Sequence, residues 1–150
     1  PLVRRHQRPR TQGLAAPDQK SFDAVMHTNV LAAMRLIPLL APPLAAAGGR
    51  LAVLSSRMGS LSLMQSSSGW LYRASKAALN GVLKAASIEL AAQGIVCLAL
   101  HPGWVRTGMG GAGADIDAAD SVAGMRRVIA TVDASANGGF YNYDGEALAW

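Results

Sequence analysis

A chain of 150 residues, 51% apolar and 15% charged, can bury a core of its own and is too hydrophobic to remain disordered. Its net charge of +5 is lopsided: residues 1–20 carry Arg4, Arg5, Arg8, Arg10 and Lys20 against Asp18 alone, so the body is nearly neutral and no nucleic-acid surface is expected. The lone cysteine, Cys97, excludes an internal disulfide and fits a reducing, cytoplasmic setting. The N-terminal arginines are not followed by the apolar core of a secretory signal. No apolar run free of proline and charge is long enough to cross a bilayer; residues 36–47 come nearest and hold three prolines, so no membrane partner is expected.

In chain order, residues 1–17 lack apolar periodicity, contain three prolines and read as irregular. Asp18 or Ser21 can cap a helix whose Phe22, Val25, Met26, Ala33, Leu36, Ile37 and Leu40 fall at helical spacing. Pro38 should kink it, and Pro42-Pro43 should mark a ragged end before Gly48-Gly49. Asn29 lies on the apolar stripe, where an unbonded amide costs about 1–3 kcal/mol, so it is either structural glue or part of a site.

Residues 50–55 read as a short buried strand that ends at Ser55-Ser56. In open α/β sheets chemistry gathers at the carboxyl ends of strands, which is where Ser56 would lie. After a Ser/Gly-rich loop over 57–69, a second helix spans 72–92 and stops at Gly94. Its slim face of Ala74, Ala77, Ala78 and Ala85 suits close packing. Residues 95–100 form a second buried strand, ended by Pro102-Gly103. The glycines of 108–113 match G-x-G-x-x-G, but no strand runs into them and no helix opens before about Asp117. We read that segment as a mobile loop near a substrate mouth rather than a phosphate cradle. A third helix runs from 118 or 119 to 132, and a last short strand covers 140–143 before Asp144-Gly145 turns the chain. The alternation of strand and helix predicts an α/β fold with a parallel sheet and crossover helices.

Tyr72 and Lys76 carry the most pointed chemistry. Four residues apart on a helix, they leave from nearly one face and set an ammonium beside a phenol. A free tyrosine titrates near ~10, and a fixed cation favours the phenolate, which makes a tyrosine usable as a general acid or base. The pair alone is also what a surface lysine resting on an interfacial tyrosine would look like.

The companions of the pair are Thr28-Asn29-Val30, Leu54-Ser55-Ser56-Arg57-Met58-Gly59, Tyr72-Arg73-Ala74-Ser75-Lys76 with Ala77-Ala78-Leu79-Asn80, and Pro102-Gly103-Trp104-Val105-Arg106-Thr107. With them, residues 11–150 resemble the C-terminal, catalytic part of a short-chain dehydrogenase/reductase, most of all the sniffer-type carbonyl reductases and C-factor-like proteins. The resemblance implies a Rossmann-like parallel sheet with crossover helices. It also implies NAD(P)-dependent hydride transfer between nicotinamide and a small carbonyl or secondary alcohol, with no metal. Asn29 would hold a water of the proton relay, and Ser56, in preference to Ser55, would polarise the substrate oxygen. Tyr72 would be the acid/base, and Lys76 would ease its proton loss and bond the nicotinamide ribose. Pro102, Gly103, Val105 and Thr107 would cradle the nicotinamide, Val105 through its backbone.

The departure from the family is at the start. The glycine-rich turn and first half of the sheet are missing, so only the nicotinamide half of an NAD or NADP site is expected, and the first strand should have an unpaired edge. Residues 1–10 form a basic leader unlike the family. Codons for Arg4 to Pro9 read one base later allow Ala-Gly-(Ile/Thr)-(Asn/Ser)-Gly, which resembles the family there, so residues 1–9 are expected to be a frame-shifted leader on a truncated gene. The competing reading is a catalytically incompetent α/β fragment that associates with itself, as a homo-oligomer through its helices, or with a partner.

Overall fold

Asp18 starts the first helix: its carboxylate accepts hydrogen bonds from the Ser21 N–H at 2.8 Å and the Ser21 hydroxyl at 2.9 Å, and α1 (Gln19–Met26) follows. The computed structural model describes residues 14–150, so the leader over residues 1–10 and its frame-shift expectation lie outside the described residues. After α1 comes a π-helical turn, His27–Leu31, before α2 (Ala32–Ala46) continues. A π-turn inserts one residue and rotates everything beyond it by about 100°. The expected stripe is therefore displaced. Val30, Ile37 and Ala41 are buried, with Ala33, Leu44 and Ala45 packed on the core, while Leu36 and Leu40 beyond the turn are exposed; Phe22, ahead of it, is exposed as well.

The prolines do not end this helix where expected; α2 passes through Pro38, Pro42 and Pro43 to Ala46. The carbonyls they cannot bond belong to Met34, Pro38 and Leu39, all solvent-exposed residues, so water can replace the missing N–H groups. The merged helix Gln19–Ala46 has 28 residues and is, by length and composition, apolar enough to cross a membrane, which its prolines had argued against. In the fold it packs into the core through Ile37 and Ala41.

Three strands, β1 (Arg50–Leu54), β2 (Val96–His101) and β3 (Gly139–Asn142), form a parallel sheet in the order β1-β2-β3. Parallel neighbours need crossovers, which α3 (Trp70–Leu90) and α4 (Ala118–Thr131) supply. Alternation along the strands divides the core. Leu51, Cys97, Ala99 and Phe140 pack with Ile37, Ala41, Leu83 and Leu90 from the helices, while Ala52, Leu54 and Leu100 line an apolar groove with Val122, Met125 and Ile129 of α4.

β1 is the sheet edge among the described residues, as expected, but it is not the fully buried strand its apolar run suggested: Leu51 is buried, while Ala52 and Leu54 are open to solvent, Leu54 at 58%. The other edge is covered. The tail returns along β3, with Leu148 N–H donating to the Phe140 carbonyl and Asn142 N–H to that of Glu146, both at 2.8 Å, and Trp150 stacks on Phe140 at 5.2 Å. On α3 the packed face is Ser75, Leu79, Asn80, Leu83, Ser87 and Leu90; Ala74 and Ala85 of the expected alanine face are exposed. Gly94, at φ +73°, ends that segment as expected.

Phe140 joins sheet, helices and tail. Phe140→Ala should lower unfolding free energy by about 3–5 kcal/mol in urea titrations. A loss below about 1 kcal/mol would mean that the tail and β3 do not pack as a unit.

Candidate active site

Helix α3 meets the carboxyl end of β1 at close quarters. Lys76 Nζ donates to the Leu54 carbonyl at 2.8 Å, just before Ser55-Ser56. Gly59 lies against the helix backbone; a Cβ there would come within 2.8 Å of the Lys76 carbonyl carbon and Cβ, so only glycine fits. Between these contacts Ser56 is buried, and its Oγ accepts from the Met58 N–H at 3.2 Å, capping the 3-10 turn Arg57–Gly59. Burial pushes the Lys76 ammonium below its usual pKa. Its Nζ stands 5.8 Å from the centroid of the Tyr72 ring. An ammonium has three N–H donors, and Leu54 takes one. The Tyr72 hydroxyl makes no hydrogen bond to the described residues, which leaves it available to a ligand.

Asn29, in the π-turn, reaches the same helix. Its Nδ2 donates to Ser75 Oγ at 2.9 Å, and that hydroxyl donates to the Tyr72 carbonyl at 2.8 Å. The amide thus links two helices beside Tyr72. Ser75 is wholly buried, and nothing in its spacing singles it out.

The segment after β2 lies alongside. Ser55 N–H donates to the Leu100 carbonyl at 2.8 Å, so the two strands leave the sheet together. Gly103 turns at φ +81°, and a Cβ there would strike the Ile116 and Tyr143 side chains. Residues 104–117 form a clasp rather than an open loop. Val105 bridges to Ile116, Arg106 pairs with Asp117 at 2.8 Å and donates to the Ala114 and Asp115 carbonyls, and Trp104 Nε1 donates to the Gly110 carbonyl at 3.0 Å. Asp117, the N-cap residue of α4, gives its carboxylate to Arg106 and makes no side-chain cap. The glycines of 108–113 serve this clasp, and no helix opens from them before Ala118. Within the clasp the Val105 N–H has no acceptor among the described residues. The Thr107 hydroxyl accepts from the Gly110 N–H at 3.2 Å and turns into its own loop.

His101, the last residue of β2, holds a buried Nδ1 with no partner among the described residues, and burial, reinforced by Arg57, lowers its pKa to about 4. Arg57 directly follows Ser56, so this imidazole is electrostatically tied to the serine turn. No group of His, Cys, Asp and Glu among the described residues is arranged to hold a metal ion.

Residues 7–137 match the family described as Enoyl-(Acyl carrier protein) reductase. The chain belongs to the short-chain dehydrogenase/reductase superfamily. Its relatives in that superfamily include the C-signal protein of Myxococcus xanthus, 42% identical over 123 residues, which cover 81% of this chain and 74% of that protein. Two solved structures share the fold. The carbonyl reductase Sniffer of D. melanogaster superposes with a TM-score of 0.89 at 33% identity, and the NADPH-bound carbonyl reductase from chicken fatty liver with 0.80 at 33% identity. They cover 95% and 94% of this chain, which spans 62% of each reductase. Superfamily members of this kind are oxidoreductases, and the three-stranded parallel sheet is a partial Rossmann-like version of their fold.

The structure therefore gathers Asn29, Ser56, Tyr72 and Lys76 through α3 at the end of β1, with Pro102, Gly103 and Val105 leaving the neighbouring strand. Asn80 stood in the motif that follows Lys76 but was given no role there; its amide is bonded to Ser55 and Gly59. The signal was present: Asn80 continues the Tyr72–Lys76 series at i+4, drifting only about 40° per step around the helix.

Two outcomes test this geometry. Gly59→Ala should cost about 1–3 kcal/mol in denaturant unfolding, because the new methyl pushes α3 off the serine turn; a change within about 0.5 kcal/mol would show that the helix stands clear. For His101, the folded pKa lies below the ordinary 6.5, so its contribution to stability is full above about 6.5 and falls as pH drops toward about 4. His101→Leu should flatten the stability profile across that window. An unchanged slope between pH 6.5 and 4.5 would place the imidazole in water.

Proposed function

We propose that residues 11–150 form the catalytic portion of an NAD(P)-dependent carbonyl reductase of small aldehydes or ketones. The reading rests above all on one observation: Tyr72 and Lys76 share a face of α3 whose ammonium is hydrogen-bonded to the strand end beside Ser56. The names of the solved relatives, carbonyl reductases with one holding NADPH, support it.

The donor set suits the nicotinamide riboside half of a dinucleotide. The free N–H groups of Lys76 fit ribose hydroxyls, and the unpaired Val105 N–H fits a carboxamide oxygen, with Pro102 and Gly103 shaping the backbone beneath. When bound, the reduced dinucleotide supplies the hydride that goes to the carbonyl carbon. Tyr72 donates its phenolic proton to the carbonyl oxygen as that oxygen gains negative charge. Lys76 stabilises the charge then left on the phenol. The Ser56 hydroxyl, whose oxygen already accepts from Met58, keeps its proton free to bond the substrate oxygen. Asn29 holds the π-turn against Ser75 and Tyr72, where a relay water would sit. A buried Cys97, whose thiol burial pushes up, stays protonated and fits the cytoplasm.

Tyr72→Phe should lower kcat about 10²–10⁴-fold with any aldehyde or ketone that the unaltered protein reduces. Near-normal turnover would reject the assignment.

The second reading, association without catalysis, is favoured by the open β1 edge and by Met34, Leu36 and Leu39 on α2, Leu39 being 72% exposed. Titrating the 150-residue chain with NADPH separates the two. Micromolar binding supports the reductase; millimolar or absent binding, with oligomers in sedimentation, supports association.

A further inference from the structure

The face of α3 that carries Tyr72 and Lys76 extends one turn further to Asn80, a buried amide at 5% exposure. Its Oδ1 accepts from Ser55 Oγ at 2.5 Å, and its Nδ2 donates to the Gly59 carbonyl at 3.3 Å. These partners bracket Ser56, one residue before it and three after. We propose that Asn80 is a positioning residue for Ser56, holding both ends of the serine turn so that one helix sets the hydroxyl, the phenol and the ammonium together. The proposal rests on the reading in which Ser56 polarises the substrate oxygen.

A carboxamide accepts at one end and donates at the other, which is what a hydroxyl before Ser56 and a carbonyl after it require at once. Aspartate could keep the first bond but not the second, and would bury a charge. Alanine leaves the Gly59 carbonyl and the Ser55 hydroxyl without partners in a site where Ser55 is 3% exposed and water has little access. The Lys76 bond to Leu54 and the Gly59–Lys76 backbone contact hold the same turn from the adjoining helical turn. Residues 54–59 are thus fastened to α3 at Leu54, Ser55 and Gly59, while Ser56 itself makes no bond to the helix and keeps its hydroxyl proton for a ligand.

Two readouts test this, one needing no cofactor. In hydrogen exchange of the 150-residue chain, Asn80→Ala should speed exchange at the Met58, Gly59 and Ser60 amides at least tenfold, because Met58 and Gly59 bond to Ser56 and Ser60 bonds to Arg57. Peptides from β2 and β3 should be unchanged. Uniform acceleration across the fold, or none at the turn, overturns the proposal. If Asn80→Ala does not fold, Ser55→Ala cuts one arm only and must still loosen the turn selectively. In turnover, Asn80→Ala should lower kcat about 10–100-fold with KM for NADPH within twofold. Combined with Ser56→Ala it should cost no more than Ser56→Ala alone; multiplying losses overturn the positioning role. A loosened turn in a protein whose turnover ignores Tyr72→Phe would sink the reductase reading and leave the geometry standing.

Discussion

The close approach of α3 to the end of β1 is the constraint on which the site depends. A helix and a strand end can come this near only where neither backbone carries bulk between them, and Gly59 meets that condition against Lys76. Once they touch, the strand's last carbonyls and the serine turn lie within reach of the helix side chains. Lys76 and Asn80 then take them up in successive turns. The ammonium gains a fixed address, which matters more than its charge alone. A lysine free to swing into water would stabilise a phenolate weakly, whereas one hydrogen-bonded and partly buried keeps its charge where the phenol is.

A second set of polar bonds supports this contact from the flank of the same packed face. The π-turn in the first helix brings Asn29 to Ser75, and Ser75 bonds to the Tyr72 carbonyl. π-turns are uncommon and cost helical hydrogen bonding, and they recur where a side chain must be turned to a use. Here the use is visible in the bond itself. The clasp over 104–117 does the corresponding job at β2. Arg106 gathers Asp117 and two carbonyls into one closed loop, and exposed ion pairs of this kind hold geometry more than they add stability.

The two sheet edges are unequal. The tail covers β3 with backbone hydrogen bonds and the Phe140–Trp150 stack, while β1 presents its outer groups and Leu54 to solvent. An uncovered parallel edge is a binding surface for another strand, and the apolar groove beside it, between β1 and α4, has the same character. The chain spans 62% of the reductases it superposes on.

Much of this was legible in the residues alone. Asp18 and Gly94 marked helix ends because capping chemistry is local, and the three strands and their parallel pairing followed from apolar runs alternating with helices. Tyr72, Lys76, Ser56 and Pro102-Gly103 could be grouped because their motifs are short and ordered. Local pattern failed where packing decided. The π-turn rotated the buried face of the first helix, and no period of 3.6 can announce an inserted residue. The prolines stayed in the helix because solvent could reach the carbonyls they orphaned. The unpaired edge expected of β1 is there, but its apolar residues suggested a fully buried strand, and how much an edge strand is covered depends on what packs beside it. Asn80 belonged to a motif without a role until Ser55 and Gly59, over twenty positions away in the chain, were brought against it. Composition and spacing thus determined the elements and the chemistry they carry; contact between distant segments alone decided which groups are held still.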